Sequence, residues 1–251
     1  MWDRREKILA YILEKGEASI TELASLFSNV STMTIRRDLE YLEESGDIVR
    51  TKGGAKSIMR LSMRLEAAYH QRELINAPQK HEIAEKAAPL IENGSTVYFD
   101  AGSTVMHLVP FLGEKKIFAV TNGPNIAMEL LKHPHCEVSM TSGRLNRQNI
   151  SLSGLGATQS IEGINIGTAI MAASGFTPDL GFTCGSYDEA ALKRAVISAA
   201  KRVVLVMDST KLGRNHTFTF ATPADIDIFV TDSAADKTML VPLEEANIQL
   251  I

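Results

Sequence analysis

Cysteine is nearly absent from this chain of 251 residues: Cys136 and Cys184 are too few and too widely spaced for a disulfide framework or a Cys-x-x-Cys zinc site. His133-Pro134-His135-Cys136 gathers ligand types, but the proline between the histidines and the strand-like Val138 beyond them point to a surface turn, so no metal is expected. No apolar run approaches the roughly 20 residues needed to span a bilayer, and the N-terminal stretch carries acidic residues and helix signals where a signal peptide needs an apolar core. A cytoplasmic chain with no membrane partner is therefore expected. Nor is there an excess of one charge: 26 Lys and Arg stand against 30 Asp and Glu, and a net of −4 does not by itself announce nucleic acid. A cofactor motif and a nucleophile–base pair are also missing, so no cofactor is expected. What remains is an ordinary globular composition, 45% hydrophobic and 22% charged, long enough for one small module and one larger core.

The small module is legible in the first sixty residues. Ile8, Leu9, Ile12 and Leu13 recur with a helical period until Gly16. Ser19-Ile20-Thr21-Glu22 has capping-box spacing and opens a second helix with Ile20, Leu23, Ala24 and Phe27 on its apolar face. Ser31 caps a third, which buries Ile35, Leu39 and Leu42, turns Thr32, Met33, Arg36, Arg37 and Glu40 outward, and ends at Gly46. Ile48-Val49 then starts a strand whose turn is Gly53-Gly54. Between Ile48 and Leu65 the chain carries Arg50, Lys52, Lys56, Arg60 and Arg64 with no acidic residue. Three short helices, the third basic near its start, followed by a basic turn, predict a winged helix-turn-helix that places one helix in the DNA major groove. Thr32 and Thr34 stand where hydroxyls and helix-start amides meet a phosphate.

Past a mixed, polar stretch the signals alternate. Ile83, Ala84, Ala87, Ala88 and Ile91 form a helical face, and Val105–Leu112, Asn125–Leu131 and Glu189–Ala200 read as helices. Thr96–Phe99, Ile117–Val120, Glu137–Met140, Ala169–Ala173, Val203–Met207 and Ile226–Val230 read as strands. That alternation predicts an α/β domain with a largely parallel, buried sheet. The expected organisation is a DNA-binding domain over residues 1–60, a linker over 61–78 and an α/β domain over 79–251.

In such sheets ligands gather where strands end and helices begin. Four polar strand ends qualify: Asp100-Ala101-Gly102-Ser103-Thr104, Thr121-Asn122-Gly123, Thr141-Ser142-Gly143-Arg144, and Asp208-Ser209-Thr210-Lys211, where Lys211 supplies a point charge for phosphate. Asp100, Glu189 and Lys193 could alternatively supply a base and a cation for proton transfer, which would make the chain a sugar-phosphate isomerase-like enzyme carrying a winged-helix module.

The run from Leu23-Ala24 through Thr34-Ile35-Arg36-Arg37-Asp38-Leu39, with Leu42-Glu43, Gly46, Arg50 and Gly53-Gly54-Ala55, resembles the signature of the DeoR family of bacterial transcriptional regulators. Two departures are visible: the turn Phe27–Ser31 is one residue longer than usual, and Lys52 replaces the common His. The resemblance continues in the sensor domain, through Asp100, Gly102, Ser103 and Thr104, then Thr121-Asn122, then Asp208, Ser209 and Lys211, with Ser142-Gly143 where Gly-Gly is usual. It implies a Rossmann-like α/β sensor similar to ribose-5-phosphate isomerase and CoA-transferase folds. It also implies a non-enzymatic regulator, a repressor of carbohydrate genes, whose binding to a double-stranded DNA operator is controlled by a phosphorylated sugar or a sugar-derived metabolite. The DNA-binding residues are then Ser31, Thr32, Thr34, Arg36, Arg37, Arg50, Lys52, Gly53, Gly54 and Lys56. The effector residues are Asp100, Gly102, Ser103, Thr104, Thr121, Asn122, Gly143, Arg144, Lys193, Asp208 and Lys211. A homodimer or homotetramer is expected, because two related half-sites raise both affinity and specificity.

Overall fold

The computed structural model describes residues 2–28, 30–45, 47–57 and 72–251, and the chain divides into two compact units between residues 68 and 69.

In the first unit, helix α1 (Trp2–Lys15) buries Ile8 and Ile12 completely and stops at Gly16, whose φ of +86° suits glycine. A short strand unforeseen in the sequence, β1 (Glu17–Ser19), precedes α2 (Ile20–Leu26), and the expected capping box closes between Ser19 and Glu22. Ser31 caps α3 (Thr32–Glu44), and Ile35, Leu39 and Leu42 pack with Ile8, Ile12 and Leu23 in one core. Strands β2 (Ile48–Thr51) and β3 (Gly54–Ser57) complete an antiparallel sheet in the order β1-β3-β2. Its turn is Lys52-Gly53, one residue earlier than expected, and Gly54 already belongs to β3. A Cβ on Gly54 would lie 2.0 Å from the Ala18 carbonyl oxygen, so the β1–β3 approach requires glycine there. Asp38, 1% exposed, accepts from Arg4 Nε at 2.7 Å and Arg5 Nε at 2.9 Å, which ties α3 to α1. Gly46, Arg60, Arg64 and residues 61–71 of the expected linker lie outside the described residues.

The second unit is built on a seven-stranded parallel sheet. Its strands are β4 (Thr96–Phe99), β5 (Ile117–Thr121), β6 (Cys136–Met140), β9 (Ile166–Ala172), β12 (Ala200–Val206), β14 (Ile228–Val230) and β15 (Gln249–Leu250). They lie in the order β15-β14-β12-β9-β4-β5-β6. Side chains alternate between two cores, as a two-residue period requires. Val97, Phe99, Ile170, Val204 and Val206 pack on one face with the helix Ala77–Ala87, whereas Tyr98, Ala169, Met171, Val203 and Leu205 pack on the other with the helix Tyr187–Ala199. This is the doubly wound, Rossmann-like order, and the direction of winding reverses between β4 and β9. A hairpin of β7 (Arg144–Asn146) and β8 (Ser151–Ser153), and a small sheet of β10 (Gly175–Thr177), β11 (Gly181–Cys184) and β13 (Phe218–Ala221), were not foreseen. Those strands are too short to announce themselves by alternation.

Candidate functional site

Two surfaces carry the chemistry. On α3, Thr32, Arg36 and Arg37 are exposed along the first turns, and Lys52 and Gly53 are exposed at the tip of the wing. Arg36, Arg37 and Lys52 form no ion pair with any described residue, so their charges face solvent. Ser31 and Thr34 serve the helix start: the Ser31 hydroxyl accepts from the Thr34 amide at 3.2 Å and shares a 3.0 Å hydrogen bond with its hydroxyl. Arg50 is exposed but engaged, its Nε 2.8 Å from Glu43 and its Nη1 3.5 Å from Glu40, which fastens the wing to α3. Backbone and side-chain hydrogen bonds from Arg50 hold the Glu43 carboxyl below its ordinary range. Lys56 pairs with Glu17 at 2.8 Å, and Gly54 is buried. Of the expected DNA-binding set, the structure thus leaves Thr32, Arg36, Arg37, Lys52 and Gly53 presented outward, and gives Arg50, Gly54 and Lys56 structural partners.

The second surface is a cavity of about 510 Å³ at the carboxyl ends of the strands, where the winding reverses. At this point β4 and β9 part, and Asp100 bridges the opening. Its Oδ2 accepts from the Ala172 amide at 3.0 Å and from the Lys193 ammonium, which also donates to the Ala172 carbonyl at 2.7 Å. Glu189, one helical turn before Lys193, lies 3.6 Å from that ammonium. Burial pushes the Glu189 carboxyl up. Burial also opposes the Lys193 charge, but Asp100 and Glu189 outweigh it and raise the Lys193 pKa. Across the cavity Asp208, 1% exposed, accepts from Thr210 at 2.5 Å and Asn76 at 3.1 Å, while Lys211 stands 3.3 Å from its Oδ2. That Oδ2 is buried and accepts no hydrogen bond. Burial alone would raise the Asp208 pKa, but Lys211 and the two donors bring it below the ordinary range; burial lowers that of Lys211.

Asp100, Gly102, Ser103, Asn122, Lys193, Asp208 and Lys211 of the expected effector set line this cavity. Thr104, Thr121, Gly143 and Arg144 do not. The Thr121 hydroxyl donates to the Phe99 carbonyl at 2.7 Å and accepts from the Gly123 amide at 3.0 Å, which shapes the turn after β5. Thr104 is buried in the first turn of the helix Ser103–Leu108, which is too short to offer much dipole. Gly143 and Arg144 follow β6, the edge strand two places from the reversal, and Arg144 faces outward to pair with Asp188 at 3.2 Å. In their stead the wall takes residues that sequence reasoning passed over: Arg72, Asn76 and Lys80, Ser151 of the hairpin, Ala172–Ser174 at the end of β9, and Arg214 and His216. Arg72 and Asn76 come from the stretch expected to be linker. Lys80 had a signal, for it falls on the apolar stripe of Ile83, Ala84 and Ala87, where a lysine must be buried.

Residues 4–60 match the DeoR-like helix-turn-helix domain and residues 75–233 the DeoR C terminal sensor domain. The chain belongs to the DeoR family. It is 34% identical to the HTH-type transcriptional regulator GlpR of Haloferax volcanii, over 99% of this chain and 96% of that protein. It is 31% identical to the HTH-type transcriptional regulator GolR of Listeria innocua, over 98% and 96%. Among solved structures, ribose 5-phosphate isomerase A of Methanocaldococcus jannaschii aligns over 55% of each chain, with 16% identity and a TM-score of 0.41. This DeoR-family member is accordingly a DNA-binding transcriptional regulator with a sensor domain, and the relatives that span it are named as regulators. Among its described residues no helix is long and apolar enough to cross a membrane, and no cluster of His, Cys, Asp and Glu could hold a metal ion.

Proposed function

We propose that this regulator is a repressor of carbohydrate genes whose operator binding is controlled by a phosphorylated sugar or a related metabolite held in the sensor cavity. The observation that carries the reading is the charge of that cavity. Arg72, Lys80, Lys193, Lys211 and Arg214 face Asp100, Glu189 and Asp208, so cations exceed carboxylates where the sheet opens. An anionic group satisfies the surplus, and buried carboxylate oxygens such as Asp208 Oδ2 accept from sugar hydroxyls. In the first unit, Arg36 and Arg37 read base edges in the major groove, Thr32 contacts phosphate, and Lys52 with Gly53 brings the wing to the backbone. A symmetric homodimer or homotetramer would present two such units to related half-sites.

A thermal-shift screen against pentose and hexose phosphates tests the reading, because a ligand that prefers the folded state stabilises it by mass action. A hit should also change operator affinity in the same buffer, since an effector with equal affinity for both states shifts nothing. Sugar phosphates that leave both the melting temperature and the operator affinity unchanged would overturn it. Turnover of those sugar phosphates by the pure protein would favour instead the enzyme reading on Glu189, Asp100 and Lys193.

A further inference from the structure

Lys80 differs from the other lysines of the cavity. It is 3% exposed, yet its ammonium has no carboxylate partner among the described residues and donates to the backbone oxygens of Arg72 and of Ile75, the latter at 2.7 Å. Lys193 is answered by Asp100 and Glu189, and Lys211 by Asp208. A buried cation without a counter-charge carries a desolvation cost that an incoming anion would relieve. Burial pulls its pKa down to about 8, with Lys211 and Arg72 acting in the same direction and Asp208 and Glu73 opposing them.

The carbonyls that Lys80 holds belong to residues 72–76, which the chain enters on its way from the DNA-binding unit. The same segment is held at its other end by Asn76, a non-glycine residue at φ +57°, whose amide donates to Asp208 at 3.1 Å and to Thr210 at 2.9 Å. Such a backbone conformation persists where its surroundings impose it. Two anchors of the segment, Lys80 and Asn76, are therefore cavity groups, and it is also held by Arg72, which donates to the Gln148 carbonyl at 2.6 Å, and by the His107 ring 3.1 Å from the Glu73 carbonyl.

We propose that the Lys80 ammonium is contested between the anionic group of the effector and the carbonyls of Arg72 and Ile75, so that anion binding loosens the segment through which the DNA-binding unit is attached. This rests on the reading of the effector as an anion. The competition favours the anion, because a charged acceptor adds to the hydrogen bond a direct Coulomb attraction for the buried ammonium that a neutral carbonyl does not offer. If the tethered and loosened segments leave the DNA-binding unit with different operator affinities, occupancy of the cavity is transmitted as a population shift.

Inorganic phosphate titrated into the full chain, followed by calorimetry and by hydrogen exchange of the amides of residues 72–76, tests the proposal. Phosphate should bind and should speed exchange in that segment. Lys80→Met should lower phosphate affinity by about tenfold or more, show fast exchange in the segment without phosphate, and show no further change with it; Lys80→Arg should restore binding. The exchange of the unaltered protein decides the matter even if Lys80→Met fails to fold. Phosphate that binds while exchange in 72–76 stays constant or slows would overturn the coupling and leave the anionic cavity standing. Absence of phosphate binding to the unaltered protein would overturn the anionic reading itself.

Discussion

In the DNA-binding unit Asp38 is the one buried charged side chain among the described residues, and two arginines with partly exposed heads answer it. The sensor unit buries Lys80, Asp100, Lys193, Asp208 and Asp232, four of which line a single cavity. The contrast follows from what each unit reads. Duplex DNA is a continuous anion whose binding is driven by exchange with salt, so in the proposed function Arg36, Arg37 and Lys52 work best held in water on a rigid frame. A small molecule must be told from others of similar charge. Withdrawing cations and carboxylates from water strengthens each interaction and penalises every ligand that leaves one unpaired.

The strongest way to break this comparison is Lys193→Met, which leaves Asp100 and Glu189 buried without their cation. The second unit should lose about 3 to 5 kcal/mol of stability, seen as an earlier urea transition for that unit while the first unit's transition stays in place. If both transitions stay where they were, the charges around Lys193 are not held as a buried cluster. Next in size, Arg36→Ala or Arg37→Ala should weaken specific operator binding by about 1 to 3 kcal/mol wherever the guanidinium forks onto a base, measured by fluorescence anisotropy, with no change in unfolding. Unchanged affinity in the double variant would mean that another face of α3 enters the groove. Lys52→Ala should have a smaller and sequence-independent effect, reducing the salt dependence of DNA binding by about one unit; a loss confined to the operator would place Lys52 on a base instead.

A titration sharpens the contrast through pH. Lys80 has a folded pKa of about 8, below its ordinary value of 10.5. Between those values the unfolded chain binds more protons than the folded one, so this group makes the stability of the second unit rise as pH rises through that window. The same deprotonation should weaken phosphate binding above about pH 8. Denaturant titrations from neutral to alkaline pH should show the trend in the unaltered chain and a flatter one in Lys80→Met. Identical profiles would remove Lys80 as the titrating group.

Much of the fold was legible because regular elements repeat their burial. The stripes Ile8–Ile12 and Ile35–Leu39–Leu42 and the caps at Ser19 and Ser31 announced the first unit, and Thr96–Phe99 and Ile117–Val120 announced sheet strands nearly to the residue. The hairpin β7–β8 and the sheet β10-β11-β13 were not legible, because three- or four-residue strands carry too few alternations. The cavity was half legible. Strand ends with Asp, Ser and Lys can be found in a sequence, but which ends meet depends on strand order: Thr141–Arg144 follows the edge strand β6, whereas Ala172–Ser174, apolar at its start and inconspicuous, forms the end of β9 beside the reversal.

By itself, then, the sequence determined the two-unit plan, the capped helix α3 and the parallel sheet, since local periodicity and capping depend on residues a few positions apart. Only the tertiary structure decided which charges are available. Arg50, Lys56 and Lys52 look alike along the chain, but Glu43 and Glu17 engage the first two and leave the third in solvent. Lys80, Lys193 and Lys211 likewise share a cavity although they lie far apart in sequence, and of these three only Lys80 lacks a carboxylate partner among the described residues. The physical reason is that a charge takes its character from its surroundings in space, and burial, counter-ions and hydrogen bonds are supplied by segments that the linear order does not place together.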